Sequence, residues 1–334
     1  MELCVYLVHA THYCRGFDMD YGTFELQHGH VTRADGPVYE QSESERVLME
    51  TIRNYYWLAK PGIVYGNVTH AFACALFAWA LIPGSAFAVV WMMIGLALII
   101  GSACAVNCIM DRGIDAKMDR TKKRPLPMKK ISVQGAIIYA TVLFILGSAV
   151  LLCFTNVTTW LWAAIGHVTY TAVYGFAKRH SWTSTMVGTI PGATPVLVGY
   201  AAVDPTLPLS AWLLFAALIL WQLPHFYALA LYRKDDYAKS GLPLMTVVKS
   251  RDFVMKHIIV TAILYALATI SLAIFSPLPK VATGVFAAAA VAWVGAVLFA
   301  KQRGTDAWAR RTFGTSLYMP MVMLASGVVA VAVA

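Results

Sequence analysis

Between residues 107 and 125 the chain sets an amide, three carboxylates and six basic side chains directly behind a long apolar run. Asn107, Asp111, Asp115 and Asp119 recur every four residues. On a helix each such step turns the side chain by only about 40°, so the spacing predicts four oxygen-bearing groups on one face. Aligned carboxylates repel one another unless a cation sits among them. Mg2+ takes oxygen ligands and commonly joins a carboxylate to a substrate phosphate. Arg120, Lys122 and Arg124, in the basic loop that follows, are suited to holding phosphate oxygens. A solvated helix end, with the acids paired to Arg112, Lys117 and Arg120, would use the same residues. Asn107 speaks against it, because it extends the stripe into the apolar run, where a polar side chain needs a partner. Acid face and basic loop together point to a diphosphate-bearing lipid.

These residues must be positioned by membrane helices. Hydrophobic residues make up 59% of the 334, charged residues only 13%, and a soluble domain carries about a quarter charged. Nine runs approach the roughly 20 residues that cross a bilayer: 63–82, 87–108, 133–154, 157–177, 185–203, 208–232, 253–275, 280–300 and 313–334. The fifth is interrupted by Pro191 and Pro195, which should break or thin it, and the sixth carries His225 near its end.

The net charge of +9 would suit nucleic acid if it were spread over one surface. It is not. Lys and Arg gather before the first run and in every second connection thereafter, whereas the alternate connections are short and nearly bare. That alternation is the positive-inside pattern, with the N-terminus cytoplasmic and the C-terminus outside. The charge sets topology and serves an anionic substrate, and no nucleic-acid partner is needed.

Residues 1–48 read as a polar cytoplasmic extension ending in an acidic patch, and 49–334 as one integral domain. His9, His12 and Cys14 offer a metal or haem handle, but the lack of periodicity favours a flexible cytoplasmic extension or an over-extended start. Met49 to Lys60 is amphipathic, with Tyr55, Tyr56 and Trp57 at headgroup level. None of the six cysteines has zinc or redox spacing. Further along, Lys178, Arg179 and His180 follow the fourth run, and Asp235, Asp236 and Tyr237 follow the sixth. His225, behind Pro224 in an apolar run, needs either a neighbouring helix or a ligand, and imidazole commonly binds haem iron. His70, His167 and His257 read as packing or interface residues.

The Asn-x-x-x-Asp-x-x-x-Asp pattern resembles the UbiA superfamily of intramembrane prenyltransferases. Several longer segments narrow the resemblance: Ala59-Lys60-Pro61-Gly62-Ile63, Asp119-Arg120-Thr121-Lys122-Lys123-Arg124-Pro125-Leu126, and Lys178-Arg179-His180-Ser181. So do Ile190 to Pro195, Trp221-Gln222-Leu223-Pro224-His225-Phe226, and Trp308 to Phe313. From residue 55 to about 320 they are similar, in order, to the protoheme IX farnesyltransferase (haem O synthase) branch.

The resemblance implies an all-α bundle of nine transmembrane helices with an active-site cavity facing the cytoplasm. The setting would be a bacterial inner (cytoplasmic) membrane. Farnesyl diphosphate would meet Mg2+ at Asn107, Asp111 and Asp115, with Asp119 extending the motif. Lys60, Arg120, Lys122, Arg124, Lys178 and Arg179 would lie about the phosphates, and His225 would face haem b, the acceptor. Other proteins of haem biosynthesis or oxidase assembly are the implied partners. In the loop after the sixth helix many relatives carry two acids four apart. Here the acids are adjacent, and Tyr232 stands four before Asp236. Asp236 with Tyr237 is therefore the expected second metal element, and Asp235 stays open. Two rivals remain: prenylation of an aromatic quinone precursor, and a transporter or haem-binding protein whose acids coordinate a carried cation.

Overall fold

The computed structural model describes residues 42–300 and 305–334. The His9, His12 and Cys14 group lies outside these residues.

A surface helix, α1 (Glu43–Leu58), precedes the bundle. Its start is fixed by a capping box: the Ser42 hydroxyl accepts the Glu45 amide, and the Glu45 carboxylate accepts the Ser42 amide. Glu43 and Glu45, assigned to the acidic end of the polar extension, thus lie in the first turn of this helix, where carboxylates suit the positive end of the helix dipole. Val47, Leu48, Met49 and Ile52 are exposed along it, as an interfacial helix requires.

The bundle is built from α2 (Pro61–Trp79), α3 (Ala86–Asp115), α4 (Val133–Phe154) and α5 (Val157–Val168), which runs through a π-helical segment, Thr169–Tyr174, into α6 (Gly175–His180). There follow α7 (Ser184–Ala201), α8 (Leu209–Tyr232), two short loop helices α9 (Lys234–Lys239) and α10 (Met245–Val248), α11 (Arg251–Phe275) and α12 (Lys280–Ala300). Last come α13 (Thr305–Ser316) and α14 (Tyr318–Ala332). Each long helix packs on the next, α14 returns against α2, and α2 also crosses α7 in the interior. The ring therefore closes. Small residues permit that crossing: a Cβ on Gly199 would collide with the Ala71 backbone.

Seven helices among the described residues are long and apolar enough to cross a membrane, with α13 and α14 counted as one. The chain is thus an all-α, multi-pass membrane protein. Two of the nine expected spans fall short by that measure. The fourth is divided by the π segment, and the fifth, α7, is diluted by Ser, Thr, Gly and Pro.

The expected break in α7 does not occur. Pro195 has no N–H to give the Pro191 carbonyl, and the Thr194 hydroxyl donates there instead at 2.8 Å. The Gln222 amide of α8 donates to the Thr189 carbonyl at 3.1 Å. Side chains thus take up backbone carbonyls around the prolines, and the helix runs on.

Candidate active site

Asn107, Asp111 and Asp115 lie buried on one face of the last turns of α3, as the spacing predicts. The Asn107 amide donates to Asp111 Oδ2 at 3.0 Å, and its carbonyl accepts Lys60 Nζ at 2.6 Å. Lys60 sits just ahead of α2 in the left-handed conformation, φ 52°. Lys178 Nζ donates to Asp111 Oδ2 at 2.5 Å, and Arg179 Nη2 donates to Oδ1 at 2.9 Å. Arg124 Nη1 donates to Asp115 Oδ2 at 2.8 Å. Four cationic side chains from three parts of the chain therefore converge on two buried carboxylates and one amide. The cluster carries two positive charges more than negative.

The π segment is what the sequence did not reveal. Its wider turns change the angular phase of the helix carrying Lys178 and Arg179. Arg179 is held by the Gly175 and Met110 carbonyls as well as by Asp111. Tyr170 and Tyr174 stack at 5.5 Å on the segment, and Lys178 lies 5.9 Å over the Tyr174 ring.

Asp119 departs from the expected stripe. The helix ends at Asp115, whose carbonyl is taken by the Thr121 hydroxyl at 2.9 Å, so Asp119 stands beyond it and exposed. There it pairs with Lys122 at 2.8 Å and Lys239 at 2.5 Å, and its backbone N–H donates to Asp236 Oδ1 at 3.1 Å. The two lysines hold its carboxyl down at about 2. Asp119 in turn raises Lys239. Asp236 is therefore brought to Asp119, linking the loop after α3 to α9. Tyr237, on α9, lies within electrostatic reach of Tyr174. Arg120 is half-buried and forms no ion pair among the described residues.

Among the described residues, no three His, Cys, Asp or Glu side chains group closely enough to cage a metal. Asn107, Asp111 and Asp115 nevertheless offer only hard oxygen donors, and Mg2+ commonly takes one or two carboxylates and completes its shell with phosphate and water. The donor set fits.

His225 is buried, and its Nδ1 is 2.7 Å from Ser316 Oγ. That hydroxyl also donates to the Phe313 carbonyl at 2.6 Å, which ties α8 to the end of α13 at this ring. Its ring stacks on Trp221 at 4.9 Å and meets Phe313 at 4.8 Å. His70, read as packing, lies 5.5 Å from Trp221 and is bonded to the Gly66 backbone, but its buried Nε2 has no partner. It lines a cavity of about 10 Å3 with Leu218, Trp221, Tyr265, Phe286 and Met319, room for about one water. His180 turns back on its own helix, to the Phe176 carbonyl and ring.

Residues 68–318 match the UbiA prenyltransferase family, three quarters of the chain. The chain belongs to the UbiA prenyltransferase family. Within it, the protoheme IX farnesyltransferase 1 of Shewanella frigidimarina is 36% identical over 275 residues, covering 81% of this chain and 90% of the relative. A protoheme IX farnesyltransferase of Blochmanniella floridana is 39% identical over 228 residues, covering 67% and 78%. The UbiA fold recurs in a solved UbiA homolog from Archaeoglobus fulgidus bound to GPP and Mg2+, with TM-score 0.63 and 14% identity over 84% of this chain and 99% of that one.

Proposed function

We propose that this UbiA-family chain transfers the farnesyl group of farnesyl diphosphate to a vinyl group of haem b, giving haem O. The observation that carries the reading is the excess of cations over carboxylates at the end of α3. A diphosphate is the counter-charge such a cluster lacks. The names of the relatives supply the acceptor, and the prenyl-diphosphate and Mg2+ complex of the Archaeoglobus homolog supports the donor and the ion.

In this reading Asn107, Asp111 and Asp115 hold Mg2+, with Asp236, reached through Asp119, as the second acidic element. Bound Mg2+ would neutralise charge on the diphosphate oxygens as the allylic C–O bond breaks. Lys178, Arg179, Arg124 and Lys60 turn from the carboxylates and amide to the departing diphosphate, which takes the electron pair of that bond. Arg120 and Lys122 flank its approach, and Tyr237 closes the site against Tyr174. The allylic carbon bonds to the terminal vinyl carbon of the acceptor, and water adds to the inner carbon and loses a proton. His225 offers its Nε2 to the acceptor's iron.

Placing the acids at one edge of the bundle suits an enzyme drawing a lipid from one leaflet better than a transporter, whose cation ligands belong near the midplane. The fourth and fifth rods, α5–α6 and α7, complete nine crossings in this reading. The basic loops and the site face the cytoplasm, the N-terminus lies there too, and the membrane is the bacterial inner one. Haem-biosynthesis or oxidase-assembly proteins would supply haem b and take the product.

The test is turnover of purified protein with haem b, farnesyl diphosphate and Mg2+, read by product mass. A Mg2+-dependent farnesyl-plus-water adduct of haem is expected. Inert haem with prenylated 4-hydroxybenzoate would keep the family chemistry and overturn the acceptor.

A further inference from the structure

The reaction proposed above ends with a water adding to a carbon inside a membrane bundle. His70 is built to keep such a water. It lies on α2, 8% exposed, and its ring is bonded to the Gly66 backbone one turn back. A helical side chain leans toward its own N-terminus, so the Gly66 group within reach is the carbonyl, and a carbonyl only accepts. His180 and His257 make the same bond through Nδ1, to the Phe176 and Phe253 carbonyls. Nε2 of His70 has no partner, so Nδ1 is the donor to Gly66 and Nε2 carries the lone pair of a neutral imidazole. The ring lines the cavity of about 10 Å3 together with Ala217, Trp221, Tyr265, Phe286 and Met319. Trp221 gives its indole N–H to the Ser316 carbonyl at 3.0 Å, which leaves Tyr265 as the second hydrogen-bonding side chain in that wall. Two such groups and a water-sized space are what a buried water requires.

We propose that His70 holds the water that completes the acceptor and takes its proton. This rests on the proposed function and names a base for its last step. Trp221 joins the two places: it stacks on His225 at 4.9 Å and meets His70 at 5.5 Å. The cavity therefore stands one indole away from the ring that faces iron in that reading. A vinyl group is likewise displaced from iron, at the rim of the macrocycle. When the terminal vinyl carbon bonds to the farnesyl carbon, the inner carbon is left short of an electron pair. It can lose a proton from the neighbouring carbon and become an alkene, or it can gain an oxygen. Apolar walls favour the first route because they exclude bulk water. A held water opens the second. Its oxygen gives a lone pair to the inner carbon, one O–H bond breaks with its electrons kept on oxygen, and the proton passes to His70 Nε2. In sum, farnesyl diphosphate, haem b and water give haem O, diphosphate and a proton, with no redox partner.

The experiment gives full-length protein in detergent haem b, farnesyl diphosphate and Mg2+, and separates by mass the farnesyl-plus-water adduct from the adduct without water. Native protein in water labelled with heavy oxygen should give a labelled hydroxyl. His70→Leu, which keeps bulk but no lone pair, should lower the ratio of hydrated to unhydrated adduct by about 10²-fold, the lower range of general-base effects. His70→Gln, with an acceptor oxygen, should restore part of it. Ala217→Val fills the cavity while His70 stays, and should lower the ratio in the same direction. The ratio is read on product formed, so partial folding of a variant does not alter it. An unlabelled hydroxyl from native protein overturns the proposal without any variant. A native ratio kept by His70→Leu overturns it and returns the ring to packing, and so does a native ratio kept by Ala217→Val. Should His70→Leu form no product, the Ala217→Val ratio decides. If native protein yields no farnesylated haem of either mass, the proposed function falls first and the role of His70 with it.

Discussion

Asp111→Asn tests whether the carboxylates serve the reaction or merely balance their basic neighbours. Asp111 accepts three hydrogen bonds, from Asn107, Lys178 and Arg179, and an asparagine has one oxygen to offer and an NH2 group that opposes a donor. Its side chain is 3% exposed, whereas those of Lys178 and Arg179 are 16% and 29% exposed. Breaking a buried pair costs about 3–5 kcal/mol. Because both cations keep some access to water, the lower end, about 3 kcal/mol, is expected for stability. Turnover should fall further, by about 10²–10³-fold, the usual consequence of removing a group that stabilises charge in a transition state. The two effects separate in the double variant Asp111→Asn with Lys178→Met. Removing both partners of a buried pair is often nearly neutral for stability, and Arg179 keeps the Gly175 and Met110 carbonyls, so heat resistance in detergent should partly recover while turnover stays lost. Activity of the double variant within about tenfold of native would refute the reasoning and return Asp111 to the role of counter-ion.

Arg124→Gln should raise KM for farnesyl diphosphate by about ten- to a hundredfold and leave the haem KM unchanged, measured by varying each substrate in turn. Asp119→Asn should release the loop after α3 from α9, seen as faster hydrogen exchange at residues 234–240. The Asp119 carboxyl is depressed to about 2, so its contribution is full above the ordinary carboxylate range and is lost as pH falls through about 2. Lys239 is raised, so its share is full below the ordinary lysine range and is lost above it. Exchange at these residues, corrected for its intrinsic rate, should therefore show no transition between about pH 5 and 8. His225→Ala should change the absorption spectrum of bound haem, and an unchanged spectrum would leave the ring a partner of Ser316 alone. Gly199→Ala should cost about 1–3 kcal/mol by forcing α7 from α2, whereas Gly284→Ala, which meets open space, should be neutral in the same heating assay.

The buried half of the site was legible in the sequence because helical spacing alone puts Asn107, Asp111 and Asp115 on one face. The fourth member was not, because the period of a helix says nothing of where it stops. Thr121 stops it, by capping the Asp115 carbonyl, and a threonine six residues on is a signal too local and too common to read in advance. Pro191 and Pro195 misled for a related reason. A proline's cost depends on who takes the carbonyl it frees, and Thr194 sits one residue before Pro195 to do so. The resemblance implied that Lys178 and Arg179 would lie about the phosphates, yet their reach to Asp111 follows a π segment that composition does not betray. Local spacing encodes what one helix presents. What two helices present together is encoded in their packing, and the meeting of Lys178 and Arg179 with Asp111 belongs to that second kind.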